Sequence, residues 1–203
     1  MRVISEGLGV RLSGRVIFEN VAFEWNGPGI YTVTGNNGAG KTTLLKVVAA
    51  LLHPGRGVMR WENGTGEALT AAGARSHLGF AGPEIGLWED LTALENFAFG
   101  ARARGLAWSA EDGAAWLERL GLSGRGNERL AGFSSGMKQR VKIAFAMLGR
   151  PGLVILDEPG SNLDDRGRAV VDALVREAAE TSLVVVATND PVEAAWGRPG
   201  ITL

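Results

Sequence analysis

Two stretches of the chain are apolar without interruption, and they set the frame for the rest. Leu183-Val184-Val185-Val186-Ala187 runs five apolar residues together, three of them β-branched, and Leu153-Val154-Ile155-Leu156 does the same. Such runs predict strands buried on both faces of a parallel sheet. Val16 to Trp25, Ile30 to Thr34, Val58 to Trp61 and Leu78 to Phe80 are also strand-like, the last two being short. Helical spacing follows at Lys41 to Leu52, Ala93 to Arg104, Ala110 to Leu120, Ser135 to Gly149 and Arg166 to Glu180. Ser109 with Asp112 three residues on marks a helix start, and Asp190, Pro191 and Glu193 form a second capping pattern. Strands alternating with helices predict an α/β fold with a mainly parallel core sheet. Between Trp88 and Gly149 the pattern is helical only, so residues 88–149 read as a helical subdomain inserted between two core strands of a single domain, 1–203.

Composition narrows the chemistry. The 203 residues suffice for one well-cored domain, and a net charge of −1 gives no electrostatic reason to expect nucleic acid as the main partner. There is no cysteine, which removes disulfides and thiolate metal sites. His53 and His77 are the only imidazoles, too few for a histidine metal site or a convincing Ser-His-Asp triad, and His53 sits in a turn-rich link. No apolar run approaches the ~18 residues that cross a bilayer. MRVISEGLGVRL lacks the apolar core of a signal peptide, so a cytosolic location is expected.

The strand Ile30–Thr34 leads into Gly35-Asn36-Asn37-Gly38-Ala39-Gly40-Lys41-Thr42-Thr43, which matches G-x-x-x-x-G-K-[ST]. Glycines let successive backbone N–H groups turn inward onto phosphates without Cβ clashes. The helix N-terminus adds its dipole, Lys41 can reach the β- and γ-phosphates, and the Thr42 hydroxyl can ligate Mg²⁺. The apolar run at 153–156 ends in Asp157-Glu158. Beside a phosphate cradle, an Asp there suits the Mg²⁺ shell and the following Glu can polarise an attacking water.

Three more stretches complete a set. Phe133-Ser134-Ser135-Gly136-Met137-Lys138-Gln139-Arg140 precedes the acid pair, Ser161-Asn162-Leu163-Asp164 follows it, and Leu78-Gly79-Phe80 enters GPEIGLWEDLTALEN. Cradle, signature, acid pair, D-loop and final strand come in the order found in the ATP-binding subunits of ABC transporters, which this chain resembles over nearly its whole length. The resemblance implies a P-loop, ABC-type nucleotide-binding domain with an antiparallel β subdomain beside the parallel core. It also implies ATP and Mg²⁺, with no other metal and no nucleic acid. Two such chains would meet head to tail on ATP, as a homodimer attached to integral-membrane subunits at the inner face of the cell membrane. Ser134, Ser135 and Gly136 would then face the partner's γ-phosphate, with the D-loop through Asp164 beside them.

The departures from the family pattern are specific. Most members carry a His after the last core strand; counting along LVVVATND, that position is Asn189. The capping pattern alone makes Asn189 a turn residue, but the carboxyl end of a parallel strand is also where ligands sit. An amide can donate to a phosphate oxygen but carries no charge and shuttles no proton. The Q-loop glutamine is replaced by Ala81-Gly82-Pro83-Glu84, leaving Glu84 as the polar candidate near the metal. The aromatic that stacks on adenine is missing near Leu12, where Arg11 could lie over the base.

FAGPEIGLWEDLTALEN, FSSGMKQR, DEPGSNLD and ATNDPVEA together resemble the short haem-exporter-type ATPases of cytochrome c maturation. That resemblance implies two membrane subunits, no regulatory C-terminal domain, and drive for haem export or for release of a haem-loaded chaperone. The motor of another exporter, for drugs, ions or polysaccharide, remains an alternative. So does a soluble ABC protein acting on ribosomes or DNA, against which one cradle and near-zero charge weigh. Trp108 and Trp116 are expected in the core of the helical block; Trp88, beside the Q-loop position, is a candidate for the groove that meets the membrane subunit.

Overall fold

The computed structural model describes residues 1–203. Nine strands and seven helices follow in chain order: β1 (Arg2–Leu12), β2 (Arg15–Asn26), β3 (Gly29–Thr34), α1 (Lys41–Val48), β4 (Arg56–Glu62), β5 (Ala68–Leu69), α2 (Ala71–Ser76), β6 (Leu78–Ala81), α3 (Ala93–Ala103), α4 (Ala110–Arg119), α5 (Ser135–Met147), β7 (Leu153–Asp157), α6 (Asp165–Ala178), β8 (Leu183–Ala187), α7 (Pro191–Ala194) and β9 (Arg198–Thr202). Five of the strands form one parallel sheet in the order β6-β7-β8-β3-β9, and the other four form an antiparallel sheet, β2-β1-β4-β5.

The uninterrupted apolar runs are explained by what lies on either side of the parallel sheet. Val154, Leu156, Val184 and Val186 face a core built with α3, α5 and α6. Leu153, Ile155, Leu183, Val185 and Ala187 face the opposite core, shared with α1 and the antiparallel sheet. Because side chains alternate along a strand, a strand covered on both faces has no position left for a polar residue. The Trp61 indole donates to Val48 O at 2.8 Å, tying the end of α1 to β4.

The register places the chemistry. Val33, Ala187 and Asp157 pair in one row across β3, β8 and β7, so the segments that follow these strands leave from the same edge of the sheet. The row is locked beyond the strands: Thr188 N donates to Val33 O at 3.0 Å and Glu158 N to Ala187 O at 2.8 Å.

Several elements differ from what the hydrophobic pattern predicts. β1 carries no strand signal because its buried set changes parity, from Val3 and Ser5 to Leu8 and Val10. Gly7, at φ 57°, sits at the bulge that shifts the register between them. β9 contains Pro199 and Gly200, which an edge strand tolerates because one side of it makes no ladder. The first cradle helix ends at Val48 rather than Leu52, since Ala50 turns left-handed at φ 55°. α2 has only alanines for an apolar face and is nucleated by its cap, Thr70 Oγ1 accepting from Gly73 N at 3.1 Å.

In the helical block, Phe97 is fully buried with Trp108 and Trp116 around it, ring centroids 6.1 and 6.3 Å away. Trp88 is instead 47% exposed and packs edge-on against the equally exposed Phe99 at 4.4 Å. Its backbone is clamped by buried Asn96, which accepts from Trp88 N and donates to Trp88 O, both at 3.0 Å, and to Thr92 O at 2.9 Å. The last helix of the block, α5, packs on β6 and α6 rather than only on its helical neighbours.

Candidate functional site

The loop from Gly35 to Gly40 turns through left-handed backbone before α1. Gly40 stands at the N-cap of α1 with φ 102°, and a Cβ there would sit 2.6 Å from the Ile17 side chain of β2. No side chain caps this helix, so its first-turn N–H groups, Lys41, Thr42 and Thr43 among them, have no intrahelical acceptor. These unpaired donors and the helix dipole make the end of the loop attractive to anions. Lys41 is 7% exposed, and its Nζ donates to Gly35 O at 2.8 Å and Asn36 O at 3.3 Å. Asn37 and Gly38 form the exposed outer turn, with Ala39 N closing onto Asn36 O at 3.1 Å.

The acid pair meets this loop. Asp157 is 3% exposed and accepts from Thr42 Oγ1 at 2.6 Å. Burial pushes its carboxyl above the usual carboxylate range, opposed by the Thr42 hydrogen bond and by Lys41 and Lys46. Glu158 Oε1 lies 3.5 Å from Lys41 Nζ. Its backbone is left-handed at φ 50°, a conformation that costs a residue with a Cβ about 1–2 kcal/mol. Asn189 is exposed, and its Nδ2 donates to Asn37 Oδ1 at 2.9 Å, so the end of β8 is bonded to the outer turn of the loop. Thus Asp157, Glu158 and Asn189 each contact the Gly35–Thr42 segment, through Thr42, Lys41 and Asn37 respectively.

The weaker candidates land nearby with partners of their own. Glu84 is ion-paired to Lys46 at 2.6 Å, one helical turn beyond Thr42 on α1, and its charge contributes to raising Asp157. Arg11 is exposed on the β1–β2 hairpin, the same hairpin whose Ile17 abuts Gly40, and pairs loosely with Glu19 at 3.8 Å.

The signature segment is built as a helix start. Ser134 caps α5, its Oγ accepting from Met137 N at 3.3 Å, and Ser134 and Ser135 are exposed. A Cβ on Gly136 would lie 2.7 Å from Asn162 O, so the first turn of α5 sits directly on the D-loop segment. Asp164 caps α6 by accepting from Gly167 N at 2.8 Å. No hydrogen bond or ion pair joins Ser134–Gly136 to Gly35–Thr43 within the chain.

Three contacts were invisible to motif reading. Gln139 Nε2 donates to Glu158 O at 3.4 Å and Pro159 O at 3.2 Å. Lys142 Nζ donates to Gly82 O at 3.3 Å. Glu193 does not complete the capping box its spacing predicts. Asp190 does cap α7, accepting from Val192 N at 2.8 Å, but Asp190 N is taken by Thr188 Oγ1 at 2.9 Å. The Glu193 carboxyl turns inward against Thr188 and Gly160, with Oε2 buried and unpartnered, and burial pushes its pKa up. Spacing along a helix start cannot tell a side chain that reaches back from one that a neighbouring loop draws inside.

The family model for the ABC transporter matches residues 18–161. The chain is 34% identical over 177 residues to the cytochrome c biogenesis ATP-binding export protein CcmA of Vibrio parahaemolyticus, covering 86% of this chain and 85% of that one. It is 32% identical to the protein of the same name from Mesorhizobium japonicum over 204 residues, with 99% of each chain covered. Among solved structures, the ATP-binding cassette MJ0796 bound to ADP and Pi superposes with a TM-score of 0.82 at 24% identity, covering 96% of this chain and 91% of that one. An ATP-binding subunit of an ABC transporter gives 0.81 at 28% identity, over 96% and 82%.

Proposed function

The chain belongs to the ABC transporter family and is an ATP-hydrolysing subunit, and from that premise we propose that it is the motor of a cytochrome c maturation system, driving haem export or release of a haem-loaded chaperone. The name of relatives matched end to end, such as that from Mesorhizobium japonicum, supports the choice of machine. The 2.6 Å bond between Thr42 and Asp157 carries the reading of the site, because it brings the phosphate loop and the acid pair to one point.

In this reading Lys41 exchanges its contacts to Gly35 O and Asn36 O for β- and γ-phosphate oxygens, while the N–H groups from Gly38 to Thr43 cradle the chain of phosphates. The Thr42 hydroxyl and the Asp157 carboxylate are hard oxygen donors suited to Mg²⁺, with Glu84 able to add a second carboxylate once free of Lys46. Mg²⁺, when bound, neutralises charge developing between the β- and γ-phosphates. Glu158 orients the attacking water and takes its proton as general base. Asn189 donates its amide N–H to a γ-phosphate oxygen in place of a cation. Arg11 is the candidate to lie over the base.

Family membership brings membrane partner subunits and pairing of nucleotide-binding domains. We take the pair to be a head-to-tail homodimer in which Ser134, Ser135 and Gly136 of each chain face the other's γ-phosphate, beside the D-loop through Asp164. The exposed, Ser-capped start of α5 supports this, since its N–H donors have no partner in their own chain's loop. Residues 88–149 serve as the helical subdomain of one domain, 1–203, and the Trp88–Phe99 pair as part of its membrane-subunit groove. No helix is long and apolar enough to cross a membrane; the attachment we propose, at the inner face, is through the membrane subunits.

The test is a pull-down of tagged Glu158→Gln with Mg-ATP from detergent-solubilised native membranes, with a visible spectrum of the eluate. Membrane subunits with a haem Soret band are expected. Membrane subunits without haem would reassign the motor to another exporter, and ribosomal proteins or nucleic acid would overturn the transporter reading.

A further inference from the structure

The backbone around Glu158 is contacted by α5, the helix that starts at the Ser134–Gly136 segment. Glu158 is left-handed at φ 50°, and its carboxylate pairs with Lys41 at 3.5 Å. Its N–H is fixed from one side, on Ala187 O at 2.8 Å. From the other side, Gln139 of α5 donates Nε2 to both Glu158 O (3.4 Å) and Pro159 O (3.2 Å). Gln139 stands four residues after Ser135, one turn along the same face of α5. At that first turn a Cβ on Gly136 would lie 2.7 Å from Asn162 O, so α5 packs closely on the segment that follows Glu158.

We propose that Gln139 is a positioning residue: its amide holds the Glu158–Pro159 peptide in its left-handed turn and couples movement of the signature helix to the aim of the catalytic carboxylate. The chemistry is specific to an amide donor. One NH₂ spans two adjacent carbonyls, which a carboxylate would repel and a thioether could not bond. The consequence is directional. Engagement of the start of α5 with the partner chain's nucleotide adjusts Glu158 in the chain's own site, so that hydrolysis responds to assembly while binding through the cradle does not. This rests on the reading of Glu158 as the general base.

The experiment measures kcat and KM for ATP on the full chain, for wild type, Gln139→Met and Glu158→Gln, together with thermal melting. Gln139→Met keeps the length and loses the donor. Misaiming a base should lower kcat by on the order of tenfold, with KM and melting temperature held near wild type. Hydrogen exchange should be faster in the 158–160 peptide of Gln139→Met. Unchanged kcat, or a fall that comes with a proportional rise in KM or a loss of global stability, would overturn the assignment. Wild-type turnover in Glu158→Gln would overturn the reading of the site itself, and this one with it.

Discussion

Glu158 gives the sharpest test of how the site is built, because its backbone and its carboxylate can be separated by substitution. Glu158→Ala and Glu158→Gly both remove the 3.5 Å pair with Lys41 and both remove the carboxylate proposed as general base. They differ only in whether residue 158 carries a Cβ at φ 50°. A left-handed residue with a Cβ costs about 1–2 kcal/mol, and the greater freedom of glycine in the unfolded chain offsets roughly 0.4–1 kcal/mol of that. The balance favours Glu158→Gly over Glu158→Ala by about 1 kcal/mol. For a domain of this size that is ~2–4 °C in melting temperature. Circular-dichroism melts of the two variants without nucleotide read the difference directly. If Glu158→Ala melts at the same temperature as Glu158→Gly or above it, residue 158 is not strained, and the picture of an acid held in place from both sides fails. Confirmation would mean that the chain keeps a destabilising turn because it aims the carboxylate, a cost tolerated at functional sites.

Other consequences can be checked separately. Asn189→Ala should slow hydrolysis at saturating Mg-ATP, and the wild-type rate should show no imidazole step between about pH 6 and 8; equal rates for the two proteins would remove Asn189 from the chemistry. Glu193, buried against Thr188 and Gly160 and near Asp190 and Glu158, has its pKa raised by burial. An acid with a raised folded pKa contributes stability that is present at low pH and lost as pH rises from the unfolded carboxylate value through the folded one. Glu193→Gln should therefore melt above wild type at pH 8, the gain vanishing below about pH 4; a gain independent of pH would refute this. Asn96→Leu removes three hydrogen bonds under Trp88, at about 1 kcal/mol net each, so urea denaturation should show roughly 3 kcal/mol lost. A loss well under 1 kcal/mol would show that the loop holds itself.

How much of the fold could be read beforehand depended on whether burial was continuous or interrupted. β7 and β8, covered on both faces, announce themselves as apolar runs, and β8 begins and ends where the run does. β1 leaves no periodic pattern although it sits inside its sheet, because Gly7 lets the strand bulge and moves its buried residues from odd to even positions. Periodicity measures a constant register, and a bulge is a change of register. β9 is illegible for a different reason: its place comes from pairing with β3, a partner far away in sequence that leaves no mark on a Pro- and Gly-containing segment. Two helices stop short of their apolar spacing where the backbone turns: α1 before Ala50, left-handed at φ 55°, and α5 before the extended Leu148 and left-handed Gly149.

The site divides along the same physical line. Phosphate binding uses consecutive backbone N–H groups, so its requirement is local and appears as glycines at fixed spacing. The acid pair and the loop are separated by 115 positions from Thr42 to Asp157, yet each half is local, and it is the shared row of Val33, Ala187 and Asp157 that joins them. What could not be read is the support. Gln139 looks like one more polar residue on an amphipathic helix, and Glu193 looks like half of a capping box. Their roles exist only because a loop from elsewhere passes within hydrogen-bonding distance. In this chain the groups placed to touch nucleotide follow motif spacing, whereas those that aim them follow tertiary approach. Substitutions at the first kind should therefore act on binding or on the chemical step itself. Substitutions at the second should act on turnover while nucleotide affinity stays, and that separation distinguishes a residue that aims the machinery from one that merely holds the fold.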